Sequence, residues 1–227
     1  MSELSLHEFH AGLNAQFAQV NGMKVVSRYD EVLTEYKRLK ETVGVLDLSY
    51  RSRLCLLGAD RSKFLHGQVT NDVNALKAGE GCYAALITAK GKMQSDLHIF
   101  ALENELLLEF EPGLTETVSQ RLDKYIIADD VQVVDVAPHY GLLSVQGPKA
   151  AECIQKLELG LTLPATPLNV SHVKNDTLGD LYLVHRSRAG TGGFDLFVPT
   201  QALGAVLDKL IAAAKEPGGG LAGWDAL

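Results

Sequence analysis

The segment AKGKMQSDLHIF, residues 89–100, sets Asp96 and His98 into a run that otherwise alternates like a half-buried strand. If Lys90 and Gly91 are the centre of the turn before it, Gly91 supplies a positive φ without strain, and Ala85 faces Asp96 while Tyr83 faces His98. Side chains alternate along a strand, so these four point from one side, with Leu86, Leu97 and Ile99 on the other. A carboxylate, a phenol and a small residue on one face suit a flat, nitrogen-rich heterocycle. The carboxylate can accept N–H groups and stabilise positive charge developing on a nitrogen. The constellation depends on register: a four-residue loop about the same bond preserves it, whereas a three-residue loop scatters it. The same residues also suit the wet face of an antiparallel hairpin, with Asp96 as a solvated carboxylate.

Other motifs carry less chemistry. GTGG at residues 190–193 lies between two strands and opens no helix, so it lacks the geometry of a phosphate cradle. The chain has no Walker motif, no H-E-x-x-H and no G-x-S-x-G elbow. Cys55, Cys82 and Cys153 are odd in number and widely spaced, which predicts reduced core thiols, not disulfides or paired zinc ligands. His7 and His10 share a helical face but have no nearby carboxylate pair, so surface histidines and no metal site are expected. A net charge of -7 and a pI near 5.5 argue against a protein that lives on nucleic-acid phosphates, leaving room only for a local basic groove. The apolar runs are short of a membrane span, and MSELSLHEFH has no secretory pattern, so the expected compartment is the cytoplasm.

The elements that would position the hairpin follow from periodicity. Helices are expected over 7–22, ending at Asn21-Gly22, and over 29–44. RSRLCLLG reads as a strand, and Asp60 can cap a short helix before a turn-rich stretch. Two hairpin strands and ELLLEFE follow, then a helix over GLTETVSQRLDKYI and a strand over DDVQVVDV. From residue 140 the order is strand, helix, strand, strand, helix, which is most of a ferredoxin-like split βαβ unit. The predicted class is α+β, with a ferredoxin-like domain from 1–47 plus 137–227 and an inserted, mainly antiparallel sheet domain over 48–136. Leu221, Trp224 and Leu227 fall at helical spacing after Gly218–Gly220 and are expected to dock one apolar face.

Several stretches, in order along nearly the whole chain, resemble the folate-binding family of the glycine-cleavage T-protein (aminomethyltransferase) and YgfZ. They are VGVLDLSYRSRLCLLGADRSKFLHGQVTNDVNALKAGEGCYAALITAKGKMQSDLHIF, LLSVQGPKAAE, RSRAGTGGFDLFVP and LAGWDAL. The resemblance implies a pocket for tetrahydrofolate, or a one-carbon derivative of it, between the two domains. Asp96 would act on the folate nitrogen that accepts the one-carbon unit. Tyr83, Asn71 and His98 would be cofactor-binding positions. Asp195 would stand where the family usually has a glutamate that holds the pterin. The turn TAKGKMQSD is closer to the Lys-Gly form of the YgfZ branch than to the T-protein form, and SRAGTG replaces the family's GYTGE. The family's C-terminal barrel would lie beyond residue 227. Two functions follow by resemblance: folate-dependent upkeep of iron-sulfur clusters or tRNA modification, with iron-sulfur proteins as partners, or aminomethyl transfer from a lipoyl carrier protein.

Overall fold

Residues 4–227 are described by a computed structural model, in which the chain forms two compact units. One comprises residues up to Tyr50 with His139–Pro167 and Ser171–Leu227. The other comprises Arg51–Pro138 with Leu168–Val170. The class is α+β, built on antiparallel sheets. Among the described residues no helix is long and apolar enough to cross a membrane.

In the first unit the expected helix over 7–22 is corrected. The helix covers only His7–Gly12, and Gln16–Val20 pairs with Met23–Arg28 as a hairpin. The physical reason is the Asn21-Gly22 dipeptide, whose φ values of 49° and 79° make a turn that favours hairpins over a helix end. The expectation of surface histidines is corrected with it. His10 is fully buried; its Nε2 lies 2.8 Å from Asp47 Oδ2 and its Nδ1 2.7 Å from the Tyr29 hydroxyl. Burial, with the nearby Asp47 and Glu35 carboxylates, pushes the Tyr29 phenol well above its ordinary range.

A six-stranded sheet follows the order Val170–Asn175, Gly179–His185, Gly193–Pro199, Tyr140–Gln146, Gly44–Asp47, Gly220–Leu221. The strand Val170–Asn175 stood outside the predicted pattern because it is a half-exposed edge with little apolar signal. Leu143, Val145, Leu183, Leu196 and Val198 point to one face, where Cys153, Ile154, Val206, Leu207 and Leu210 of the helices Ala150–Gln155 and Leu203–Lys215 join them in one core. Ser144, Gln146 and Asp195 have the other parity and are polar yet buried.

The tail does not continue as a helix. Gly220–Leu221 pairs in parallel with Gly44–Asp47, and a 3-10 turn covers Trp224–Ala226. Trp224 meets Tyr50 edge-on at 6.0 Å, while Leu227 stays 38% exposed. Ala222 and Ala226 are buried and Leu221 packs against the core, and the buried carboxylate of Glu35 adds a polar tie. Its Oε1 accepts the Tyr29 and Asp30 N–H groups at 2.6 and 2.8 Å, and its Oε2 accepts the Gly223 N–H at 2.8 Å.

The second unit is a five-stranded sheet in the order Gly81–Ile87, Met93–Ala101, Leu106–Phe110, Ser52–Leu57, Gln132–Asp135, antiparallel throughout. Leu54, Leu56, Leu86, Leu97, Ile99 and Leu108 fill one face, closed by Phe64 and Leu65 of the helix Arg61–His66 and by Val118 and Leu122 of the helix Thr115–Asp123.

Glu35→Gln keeps the size of the junction and loses its charge. Hydrogen bonds to an ionised group are each worth about 1.5–3 kcal/mol, so the substitution is expected to lower unfolding free energy by at least about 1.5 kcal/mol. It should also speed hydrogen exchange at the Gly223 amide. An unchanged urea midpoint and exchange rate would count against the junction.

Candidate functional site

The hairpin has the expected register through its centre: Tyr83 faces His98, Ala84 faces Leu97 and Ala85 faces Asp96. The expected turn is corrected: the loop has three residues, 89–91, and the register of the centre survives because a bulge between Leu86 and Ile87 makes up the one-residue shift. The turn closes through Thr88, whose N–H donates to Lys92 O at 2.9 Å and whose O accepts the Gly91 N–H at 2.9 Å. Gly91 takes a φ of 73° there. Leu86, Leu97 and Ile99 are completely buried on one side, and Tyr83, Ala85, Asp96 and His98 occupy the other.

Asp96 is half-buried and oriented. The Tyr83 hydroxyl donates to its Oδ2 at 3.0 Å, and among the described residues no hydrogen bond reaches Oδ1 and no cation pairs with the carboxylate. Tyr83 is 50% exposed and presents a flat wall, tilted against the His98 ring at 4.8 Å between centroids. Ala85, directly across from the carboxylate, adds only a methyl group to this face. Asn71 serves the backbone: its Nδ2 donates to Tyr83 O at 3.0 Å while its Oδ1 accepts the Asp72 N–H at 2.8 Å. It thereby ties residues 70–72 to the edge of the Tyr83 strand, together with Thr70, whose Oγ1 accepts the Ala85 N–H at 2.9 Å.

The structure brings Tyr83, Asp96, His98 and Asn71 together in one unit. Asp195 belongs to the other unit, where it is fully buried on the strand Gly193–Pro199. Arg188 grips both of its oxygens, with Nε at 3.1 and 3.0 Å and Nη2 at 2.7 Å, and Ser144 Oγ donates to Oδ1 at 2.7 Å. Arg186 Nη1 stands 3.5 Å from Oδ2. A carboxylate has about four lone-pair sites, so most of the capacity of Asp195 is already engaged.

Sequence reasoning missed the charges beside His98. Across neighbouring strands, Tyr83, His98, Glu109 and Arg53 form one row on the polar face. Glu109 is completely buried, with Oε2 3.5 Å from His98 Nδ1 and Oε1 bound by Arg51 Nε. Arg51 Nη1 also meets Glu111 Oε1 at 2.8 Å, and Arg53 Nη1 donates to Arg51 O at 2.7 Å. The signal was present as opposite charges of one parity, Arg51 and Arg53 in RSRLCLLG and Glu109 and Glu111 in ELLLEFE. Neighbouring strands could be inferred only after the sheet order was known. The cysteines offer no competing nucleophile: all three are free and buried, and burial pushes their thiols up, Cys153 to about 11.

Comparison with known proteins gives a family and a fold. The family described as GCVT N-terminal domain matches residues 6–227. A chloroplastic protein of Arabidopsis thaliana, named for an inferred transferase activity, is 27% identical over 97% of this chain and 47% of its own length. An aminomethyltransferase of Cupriavidus necator is 26% identical over 94% of this chain and 61% of its own. The chain therefore spans about half to three-fifths of the length of these relatives. In fold, it is similar to the glycine cleavage system aminomethyltransferase T from Bartonella henselae, with a TM-score of 0.86 and 22% identity over 99% of this chain and 60% of that one.

Removing one partner of a buried ion pair strands the other charge, at a cost of about 3–5 kcal/mol. Glu109→Ala is expected to lower unfolding free energy by about 3 kcal/mol, whereas Tyr83→Phe on the half-exposed rim should change it by less than about 0.5 kcal/mol. Urea denaturation of both variants checks this. Equal losses would show that the charged row is no more than a surface feature.

Proposed function

The chain belongs to the GCVT N-terminal domain family, and on that premise we propose that it binds tetrahydrofolate and handles one-carbon units on it. The observation that carries the reading is the carboxylate of Asp96, oriented by Tyr83 through Oδ2 while Oδ1 accepts no bond from any described residue. Tetrahydrofolate takes up a one-carbon unit on nitrogen. The chain's own residues supply position and charge. Asp96 accepts an N–H through Oδ1 and stabilises positive charge that develops on the nitrogen. Tyr83 fixes the carboxylate's angle and offers its ring face to a flat heterocycle, and Ala85 adds only a methyl group to this face. His98 has the Glu109 carboxylate beside it on the neighbouring strand.

Within this reading, the YgfZ-like role, in iron-sulfur cluster upkeep or tRNA modification, is supported by the turn TAKGK, whose Lys-Gly form the geometry accommodates at Gly91. Aminomethyl transfer from a lipoyl carrier protein is the second reading. It is supported by the relatives named aminomethyltransferase, of which this chain spans about three-fifths.

Calorimetry with tetrahydrofolate and its 5-formyl derivative tests the shared premise. The wild type is expected to bind, and Asp96→Asn to bind about tenfold to a hundredfold more weakly, the equivalent of one charge-assisted hydrogen bond. Its thermal stability should hardly change. Equal folate affinity in the two proteins would return Asp96 to the status of a solvated hairpin residue.

A further inference from the structure

At the turn end of the same hairpin lies a cleft of about 520 Å³, lined among others by Gln68, Ile87, Thr88, Gly91, Arg121 and Tyr125. Arg121 comes from the helix Thr115–Asp123, and its guanidinium is pinned from three sides. Nε donates to Gln94 Oε1 at 3.0 Å, Nη1 to Gln68 Oε1 at 2.9 Å and Nη2 to Ile87 O at 3.3 Å. Its plane lies over the Tyr125 ring, 3.9 Å from the centroid. All of these partners are uncharged. Among the described residues no carboxylate pairs with Arg121, and none of the residues lining the cleft is acidic. On a chain of net charge -7 this is a local reversal. It is reinforced by the exposed Lys90 and Lys92 on either side of Gly91.

Pinning changes what an arginine can do. A free guanidinium must give up rotamer freedom to bind, whereas one already fixed by two glutamines and a carbonyl loses little more. The three bonds use three of its five N–H groups and leave two as donors. The two remaining N–H donors, with the fixed positive charge, match a carboxylate or a phosphoryl group, and a half-exposed tyrosine ring beside them matches an apolar or aromatic body. We propose that this cleft binds a small oxyanion, a carboxylate or phosphoryl group carried on an apolar or aromatic body, with Arg121 as the anion-binding residue and Tyr125 as the wall. The assignment stands on the cleft's own residues and does not rest on folate binding.

The test follows the Arg121 side-chain Nε–H resonance by proton–nitrogen correlation during titration with inorganic phosphate and, separately, with benzoate. A saturable shift at Nε–H and at the Thr88 and Gly91 amides is expected with at least one probe. Saturation by phosphate alone identifies the phosphoryl source, and saturation by benzoate identifies the carboxylate. Arg121→Gln should weaken binding at least about tenfold, the value of one charge-assisted bond. Tyr125→Ala should weaken benzoate more than phosphate. Because Arg121→Gln removes three clamps and could unfold, the resonance in the unaltered chain and the Tyr125→Ala comparison decide independently. Asp96→Asn is expected to bind both probes like the wild type, so a failure of the folate reading leaves this one standing. No saturable shift with either probe, or undiminished binding by folded Arg121→Gln, overturns the proposal.

Discussion

The pairing of Ala85 with Asp96 across the hairpin holds Tyr83 and His98 to the same side as the carboxylate. A slip of one residue would turn every one of these side chains over. What prevents the slip is the opposite face, where Leu86, Leu97 and Ile99 are wholly buried. Burying one such side chain is worth about 1.5–3 kcal/mol, so an alternative register would forfeit several of these contributions together. The bulge at Leu86/Ile87 lets the turn take its own geometry beyond the paired centre. The position of the carboxylate is thus an outcome of hydrophobic burial on the side of the sheet it does not occupy.

The same alternation explains why each unit carries polar groups on the sheet face away from its core. In one, Arg51, Glu109 and Arg53 are almost fully buried; in the other, Asp195 is buried with Arg188 and Ser144. Desolvating charges is costly, and the mutual attraction of a buried pair offsets that cost only with good geometry and further hydrogen bonds. Both sites have those: Arg188 meets Asp195 with two nitrogens, and Arg51 bridges Glu109 and Glu111. The grip of Arg188 makes Asp195 a different chemical object from an open carboxylate such as Asp96. One is a neutralised anchor and the other is a reachable acceptor.

How much of this was legible follows from the kind of signal each part leaves. The centre of the hairpin was readable from its period of two, which is local, and the α+β class and the helix Leu203–Lys215 were readable from periodicity for the same reason. The hairpin's turn was not: Thr88 and Lys92 close a three-residue loop, and the bulge at Leu86/Ile87 makes up the one-residue shift. Asn21-Gly22 was a hairpin signal that a helical reading of the preceding residues overrode, although QFAQV alternates. His10 could not be read as buried, since its partners Asp47 and Tyr29 come from distant segments. Glu109 looked like an ordinary residue in a strand until the sheet order set it between His98 and Arg53. Periodicity tells which side a residue is on; it does not tell what is across from it.

The short strand Gly220–Leu221 completes the edge of Gly44–Asp47, and the Glu35 carboxylate reaches forward to the Gly223 amide. These contacts close a loop that encloses the whole of the second unit's Arg51–Pro138 segment. Contacts so distant in sequence form late, because closure entropy must be overcome before they repay it. During synthesis the Gly44–Asp47 edge therefore waits, with unpaired backbone groups, while the remaining strands of both sheets emerge from the ribosome. The interval between making residue 47 and making residue 220 is a window in which this edge can recruit a wrong strand, and its shortness, four residues, limits how well any such strand can compete.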